Sequence, residues 1–209
     1  MAIGTFAELK TAVADFLNRD DLAAIVPTFV ALAEADIARN LRHWRMEARV
    51  VAEIDARFSD VPSDFISPIR LYLSSATDPM ELMTHAEMMD RRSYTDDAAA
   101  QPRAYAMVGG QFEFYPTPDE AYTLEMVYIA RPSALSADGD TNWILTSHPD
   151  LLLYGSLIHS APYLKDDARI AVWASMYQSA IDGLNQESEK AKNGGARLRM
   201  RIRGAGNGL

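Results

Sequence analysis

The chain has 209 residues, 48% of them apolar, no Cys, and a net charge of −9 at pH 7. That length lets one core take roughly two-thirds of the unfolded surface out of water, and the missing Cys excludes disulfides and thiolate metal sites and suits a reducing, intracellular setting. The last seventeen residues hold four Arg and no acid, which leaves −13 on residues 1–192 and argues against broad binding of nucleic acid along that body.

The start, MAIGTFAELK, lacks a basic segment followed by an apolar run, so it does not read as a signal peptide. No window of about 18 apolar residues offers a membrane span. From Thr5 to Asn18, Phe6, Leu9, Val13 and Phe16 recur at helical steps, and Thr5 with Glu8 forms a capping-box pattern. A second helix over about 27–42 opens near Pro27 and carries Phe29, Leu32, Ala33, Ile37 and Leu41. The short polar turn between them predicts a helical hairpin.

The period then changes. Ala48, Val50, Ala52 and Ile54 share one face, and Ile69, Leu71 and Leu73 alternate again, which predicts β structure over about 46–74. Thr84 with Glu87 opens a short helix over about 84–92. A second β region spans about 104–131. It contains a Gly109-Gly110 hairpin turn and a returning Phe112 and Phe114, and a third strand after Pro116 completes an antiparallel meander. Ser147 and Asp150 read as the cap of a helix over about 147–164, and the longest helix runs over about 166–192 with Ile170, Trp173, Tyr177, Ile181 and Leu184 on one stripe. Gly194-Gly195 stops it. The predicted fold class is α+β, mainly α-helical: a helical bundle with a small antiparallel β meander inserted and an extended C-terminal arm.

Motifs for chemistry are weak. Ser147-His148-Pro149-Asp150 holds the three residue types of a serine hydrolase, but triads assemble through space, and no GxSxG elbow occurs. His43, His85, His148 and His159 have no metal-site spacing, and Asp138-Gly139-Asp140 is a poor match to a calcium loop. There is no Walker A segment and no GxGxxG after a strand. Phe112 and Phe114 could stack bases, but FEFYPTPDE is acidic, and core packing explains them better. The reading is of a non-enzymatic chain without catalytic residues, metal or cofactor.

The tail is the unusual segment. Arg197, Arg199, Arg201 and Arg203 alternate with Leu198, Met200 and Ile202, after a possible hinge at Gly194 and Gly195. Three readings stand side by side: a disordered basic terminus, an arm for nucleic acid, and a strand that joins the edge of a partner's sheet. The alternation distinguishes the third from a plain run of charge.

Several stretches resemble one family. They are Asn142-Trp143-Ile144-Leu145, His148-Pro149-Asp150-Leu151, Tyr154-Gly155, Ala161-Pro162-Tyr163-Leu164, Asp166-Asp167-Ala168-Arg169, Trp173, Tyr177 and Leu198-Arg199-Met200-Arg201. Ala33-Glu34-Ala35, Ile37 and Leu41-Arg42 add the opening helices. The chain resembles the head-to-tail adaptor, or connector, proteins of tailed bacteriophages, particularly the short-tailed type, and the likeness is weakest from Ser74 to Gln101.

The resemblance implies a structural virion protein of the neck, made in the host cytoplasm. Residues 1–192 would be a single adaptor domain and residues 193–209 an extended basic arm. Such adaptors form a homo-oligomeric ring, usually of twelve copies, beneath the portal protein. The ring extends the channel through which genome DNA passes without specific binding and offers a platform to tail or nozzle proteins. The arm Arg197–Arg203 would dock on the portal. The alternative is a nucleic-acid-binding protein that uses the same basic arm.

Overall fold

A computed structural model describes residues 3–95, 98–164 and 168–194. Helix α1 (Phe6–Leu17) begins with the predicted capping box: Thr5 Oγ1 accepts the Glu8 N–H and Glu8 Oε2 accepts the Thr5 N–H. Asn18 ends it in the left-handed region, φ 52°. Helix α2 (Val26–Asn40) buries Val26, Phe29, Val30, Ala33 and Ile37. Two stripe residues fall outside the core. Phe16 is 47% exposed while its neighbour Leu17 is buried, and Leu32 is also exposed.

Strand β1 (Glu47–Ile54), β2 (Phe58–Asp60), β3 (Phe65–Leu73) and β4 (Glu81–Leu82) follow, then helix α3 (His85–Thr95). Strands β5 (Ala104–Val108) and β6 (Gln111–Tyr115) form the predicted hairpin, with Gly109 and Gly110 at φ 60° and 85°, a conformation that a Cβ would strain. Strand β7 (Tyr122–Ala130) completes the β part.

The expected helical bundle with a small meander is not what forms. Helix accounts for 47% and strand for 22% of the chain, in two sheets ordered β1-β7-β3 and β2-β6-β5-β4, a mixed α+β fold. β7 does not lie beside β6. It runs between β1 and β3, antiparallel to both. The lengths give the reason. β7 has nine residues and pairs with β1 from Tyr122 to Ile129 and with β3 from Leu124 to Ala130, whereas β6 has five and its second edge is taken by β2. Leu124, Met126 and Tyr128 of β7 meet Ile54, Leu71, Tyr105, Phe112 and Phe114 in one apolar cluster between the sheets. Phe112 and Phe114 are therefore core residues.

The second half of the chain contributes α4 (Trp143–Ser147), α5 (Pro149–His159) and α6 (Arg169–Asn193). The helix expected over 147–164 forms as the shorter α5, and a separate short helix, α4, precedes it. His148, just before Pro149, sits at φ −140°, ψ 58°, because a proline ring disfavours the helical conformation of the residue before it. Asn142 caps α4, its side chain accepting the Leu145 N–H at 2.9 Å, whereas α5, which Ser147 was expected to cap, has no side-chain cap bond. Helix α5 lies against α1, α2 and α6. At Gly155 a Cβ would stand 3.0 Å from Ala33 Cβ and 3.2 Å from the Tyr177 ring, so glycine permits that approach. The helices enclose their own apolar cluster, which includes Leu9, Phe29, Leu145, Leu151 and Trp173. Among the described residues no helix is long and apolar enough to cross a membrane.

Candidate functional site

The C-terminal end of α6, from which the expected docking arm would leave, lies within the described residues. Trp173, Tyr177, Ile181, Leu184 and Ser188 form the buried stripe of α6. Tyr177 donates from its hydroxyl to Asp36 at 2.7 Å, and burial together with that carboxylate pushes the phenol well above its ordinary range. Further along, α6 is held by polar side chains to the link between α2 and β1. Asn185 Oδ1 accepts the Arg42 N–H at 2.8 Å, and Asn185 Nδ2 donates to Asn40 O at 3.3 Å. Ser188 Oγ accepts the Trp44 N–H at 2.9 Å, and Lys192 pairs with Glu47. These contacts aim the end of the helix at the start of β1.

Gly194 closes α6 at φ −65°, ψ 91°. A Cβ there would come within 2.4 Å of Lys190 O, so the chain can leave the helix in this direction only without a side chain. Gly195 and the arm residues Arg197, Leu198, Arg199, Met200, Arg201, Ile202 and Arg203 lie outside the described residues.

Beside the root, His43 is buried and stacks on Trp143 with ring centroids 5.1 Å apart. Its Nδ1 accepts the Arg45 N–H at 3.2 Å, which places the proton on Nε2, a buried atom with no hydrogen-bond partner among the described residues. Burial lowers the His43 pKa, with Glu187 opposing and the nearby His148, Arg45 and Lys192 reinforcing, so the ring is neutral at pH 7. The Arg45 guanidinium stands 5.4 Å from the Trp44 ring centroid and 5.7 Å from that of Trp143, and it donates to Ser147 Oγ at 3.0 Å. The Ser147 hydroxyl is thus bound to an arginine, while the His148 ring meets Trp143 edge-on.

The other sequence candidates have structural partners. Asp140 accepts the N–H groups of Ser136 and Ala137, and these bonds hold its carboxyl below the usual range. Asp138 pairs with Lys10 at 2.6 Å. The carbonyls of Asp140 and Asp138 in turn accept the first N–H groups of α1, from Phe6 and Ala7. Among the described residues no group of three or more His, Asp or Glu is placed to hold a metal ion.

Sequence reasoning missed one ionic cluster. Glu113 on β6 is fully buried, facing away from Phe112 and Phe114. Arg57 donates to its Oε1 from Nε at 2.8 Å and from the terminal nitrogen at 2.7 Å, His85 Nδ1 lies 2.8 Å from Oε2, and Arg92 Nε is 3.4 Å from Oε1. Burial alone raises this carboxyl, but the Arg57 and His85 hydrogen bonds and the two guanidinium charges outweigh it, and its pKa is lowered. Arg92 also donates to Phe114 O at 2.6 Å and Thr117 Oγ1 at 3.0 Å, which clamps α3 on the sheet. No local pattern announces this, because the partners lie far apart in the chain.

A cleft of about 620 Å³ lies between α2 and the segment after β7, lined by Glu34, Arg39, Arg42, Phe65 and Arg131 among others. Burial raises the Glu34 pKa, partly offset by the Leu135 N–H that it accepts at 3.0 Å.

A family model described as SU10 adaptor protein matches residues 4–201. The matched span covers every described helix and strand and continues to Arg201. No curated protein matches the chain.

Proposed function

From the premise that the chain belongs to the SU10 adaptor protein family, a family of phage adaptors, we propose that it is the head-to-tail adaptor of a tailed-phage virion. Membership implies a structural role and contacts with other virion proteins. In this reading residues 1–192 build a ring beneath the portal, and residues 193–209 are the arm that reaches it. Neighbours in a ring meet through unlike surfaces. An acidic body repeated around a channel repels DNA phosphate, so the genome slides through without sticking. Leu198, Met200 and Ile202 supply one face of a docking strand, and Arg197, Arg199, Arg201 and Arg203 supply the other. Once one arm is engaged, the rest of the ring binds at high effective concentration.

The single observation that carries this reading is the family match over nearly the whole chain. The test is binding to purified portal rings, imaged and measured for the whole chain and for a chain ending at Gly194. The whole chain decorates the portal as a ring and the shortened one does not. Equal binding by both would remove the role given to the arm. The four arginines favour a second reading, an arm for nucleic acid. In that case affinity falls with salt at a log–log slope of about −3.6, the value for four phosphates. No measurable affinity at low salt ends it.

A further inference from the structure

The sheet β1-β7-β3 has two outer edges, and they are built differently. β3 carries Pro68 and two register irregularities, between Phe65 and Ser67 and between Pro68 and Arg70. Such features spoil an edge for further pairing. Its end is also covered: the Met80 N–H donates to Leu71 O and the Ala76 N–H to Leu73 O. β1 has no such protection. Its eight residues pair with β7 in unbroken register from Glu47–Ile129 to Ile54–Tyr122, and it contains neither Pro nor Gly. Among the described residues, no hydrogen bond reaches the backbone of residues 48–54 from the far side. Val51 is 54% exposed on the outer face.

The sequence of that edge is complementary to itself. A second β1 laid antiparallel about a twofold axis keeps inner and outer faces, so a residue must oppose one of its own parity. Centring on Val50 sets Glu47 against Glu53, like charge on like. Centring on Val51 sets Arg49 against Glu53 on both sides of the axis and Val51 against Val51. On the inner face the same register opposes Val50 with Ala52, and Ala48 with Ile54. Opposite charges and aliphatic pairs directly across two strands stabilise an antiparallel pair. Glu53 has no partner in its own chain among the described residues, and Arg49, which pairs with Glu125, keeps a side chain 63% exposed.

We propose that the open edge of β1 pairs with β1 of a second copy, centred on Val51, joining the two three-stranded sheets into one. Such a contact is isologous, whereas neighbours in a ring meet head to tail. The pairing is therefore a state of the chain outside a ring, and it stands or falls apart from the portal reading.

The absence of Cys makes a single cysteine an unambiguous reporter in the full chain. Directly opposed residues lie within disulfide reach, so the Val51→Cys variant cross-links to itself on oxidation. The Glu53→Cys variant does not, because its two copies stand about 14 Å apart along the strands. Sedimentation supplies a second measurement. The unmodified chain is a dimer, and Glu53→Arg and Arg49→Glu each halve the apparent mass. Mixing those two variants restores the dimer, since each position 49 then faces a position 53 of opposite charge. A monomeric unmodified chain, equal cross-linking at positions 51 and 53, or a dimer untouched by Glu53→Arg would each overturn the proposal. So would cross-linking of Val51→Cys to a cysteine at Met200 but not to itself, which would place the C-terminal arm on this edge.

Discussion

The helical half and the sandwich half bury carboxylates with opposite consequences. Glu34, on α2, loses water and gains one backbone N–H, and its pKa goes up. Glu113, on β6, is buried as well but meets Arg57, Arg92 and His85, and its pKa goes down. Burial is common to both, and the cations decide the sign. The helical core is an apolar cluster with polar bonds at its margin, such as Tyr177–Asp36 and Ser188–Trp44. The sandwich instead ties α3 to its outer face through a charged centre.

Replacing Glu113 with Ala breaks this contrast most severely. It leaves Arg57 and Arg92 without their carboxylate and costs about 4 kcal/mol, read by chemical denaturation, with protection of α3 amides lost first. In the apolar half, Leu151→Ala costs about 3 kcal/mol through the cavity it leaves, and its loss is the same at low pH as at neutral pH, whereas the loss in Glu113→Ala shrinks as pH falls below 4.5. Equal pH sensitivity of the two variants would erase the distinction between the halves.

Acid titration separates the two carboxylates by sign. The folded pKa of Glu113 lies below its ordinary 4.5, so its contribution is complete above pH 4.5 and is lost as pH falls through the folded value. The folded pKa of Glu34 lies above 4.5, so its contribution is complete below pH 4.5 and is lost as pH rises through the folded value. Accordingly Glu34→Gln raises stability slightly at neutral pH, whereas Glu113→Gln lowers it. Ser188→Ala has a smaller effect, about 1 kcal/mol, because the Trp44 N–H loses its acceptor. Hydrogen exchange then quickens over residues 40–47 more than in either core. Smallest of all, if the arm serves a partner as proposed, ending the chain at Gly194 leaves the melting temperature unchanged.

Features set within a few residues were legible. Thr5 with Glu8 caps α1, and the Thr84–Glu87 pair at the start of α3 has the same reciprocal bonds. Gly109-Gly110 makes the hairpin, and the stripe from Trp173 to Leu184 faces the core. Pro149 also marks locally the point at His148 where α4 gives way to α5. The arm root was legible in part. Gly194 stands where the helix stops, but nothing near Asn185 or Ser188 says that they bind the backbone of Arg42 and Trp44.

By itself, the sequence determined the helical periods, the caps, the tight turn, the acidic body and the alternation of the arm, because each is settled by neighbours within a turn or two. Only the tertiary structure decided that β7 enters between β1 and β3, that Glu113 gathers Arg57 from one segment and His85 and Arg92 from another, and that among the described residues one sheet edge is guarded while the other is open. Strand partners and buried ion pairs depend on which surfaces the chain closes over, and that choice is made between residues far apart in sequence.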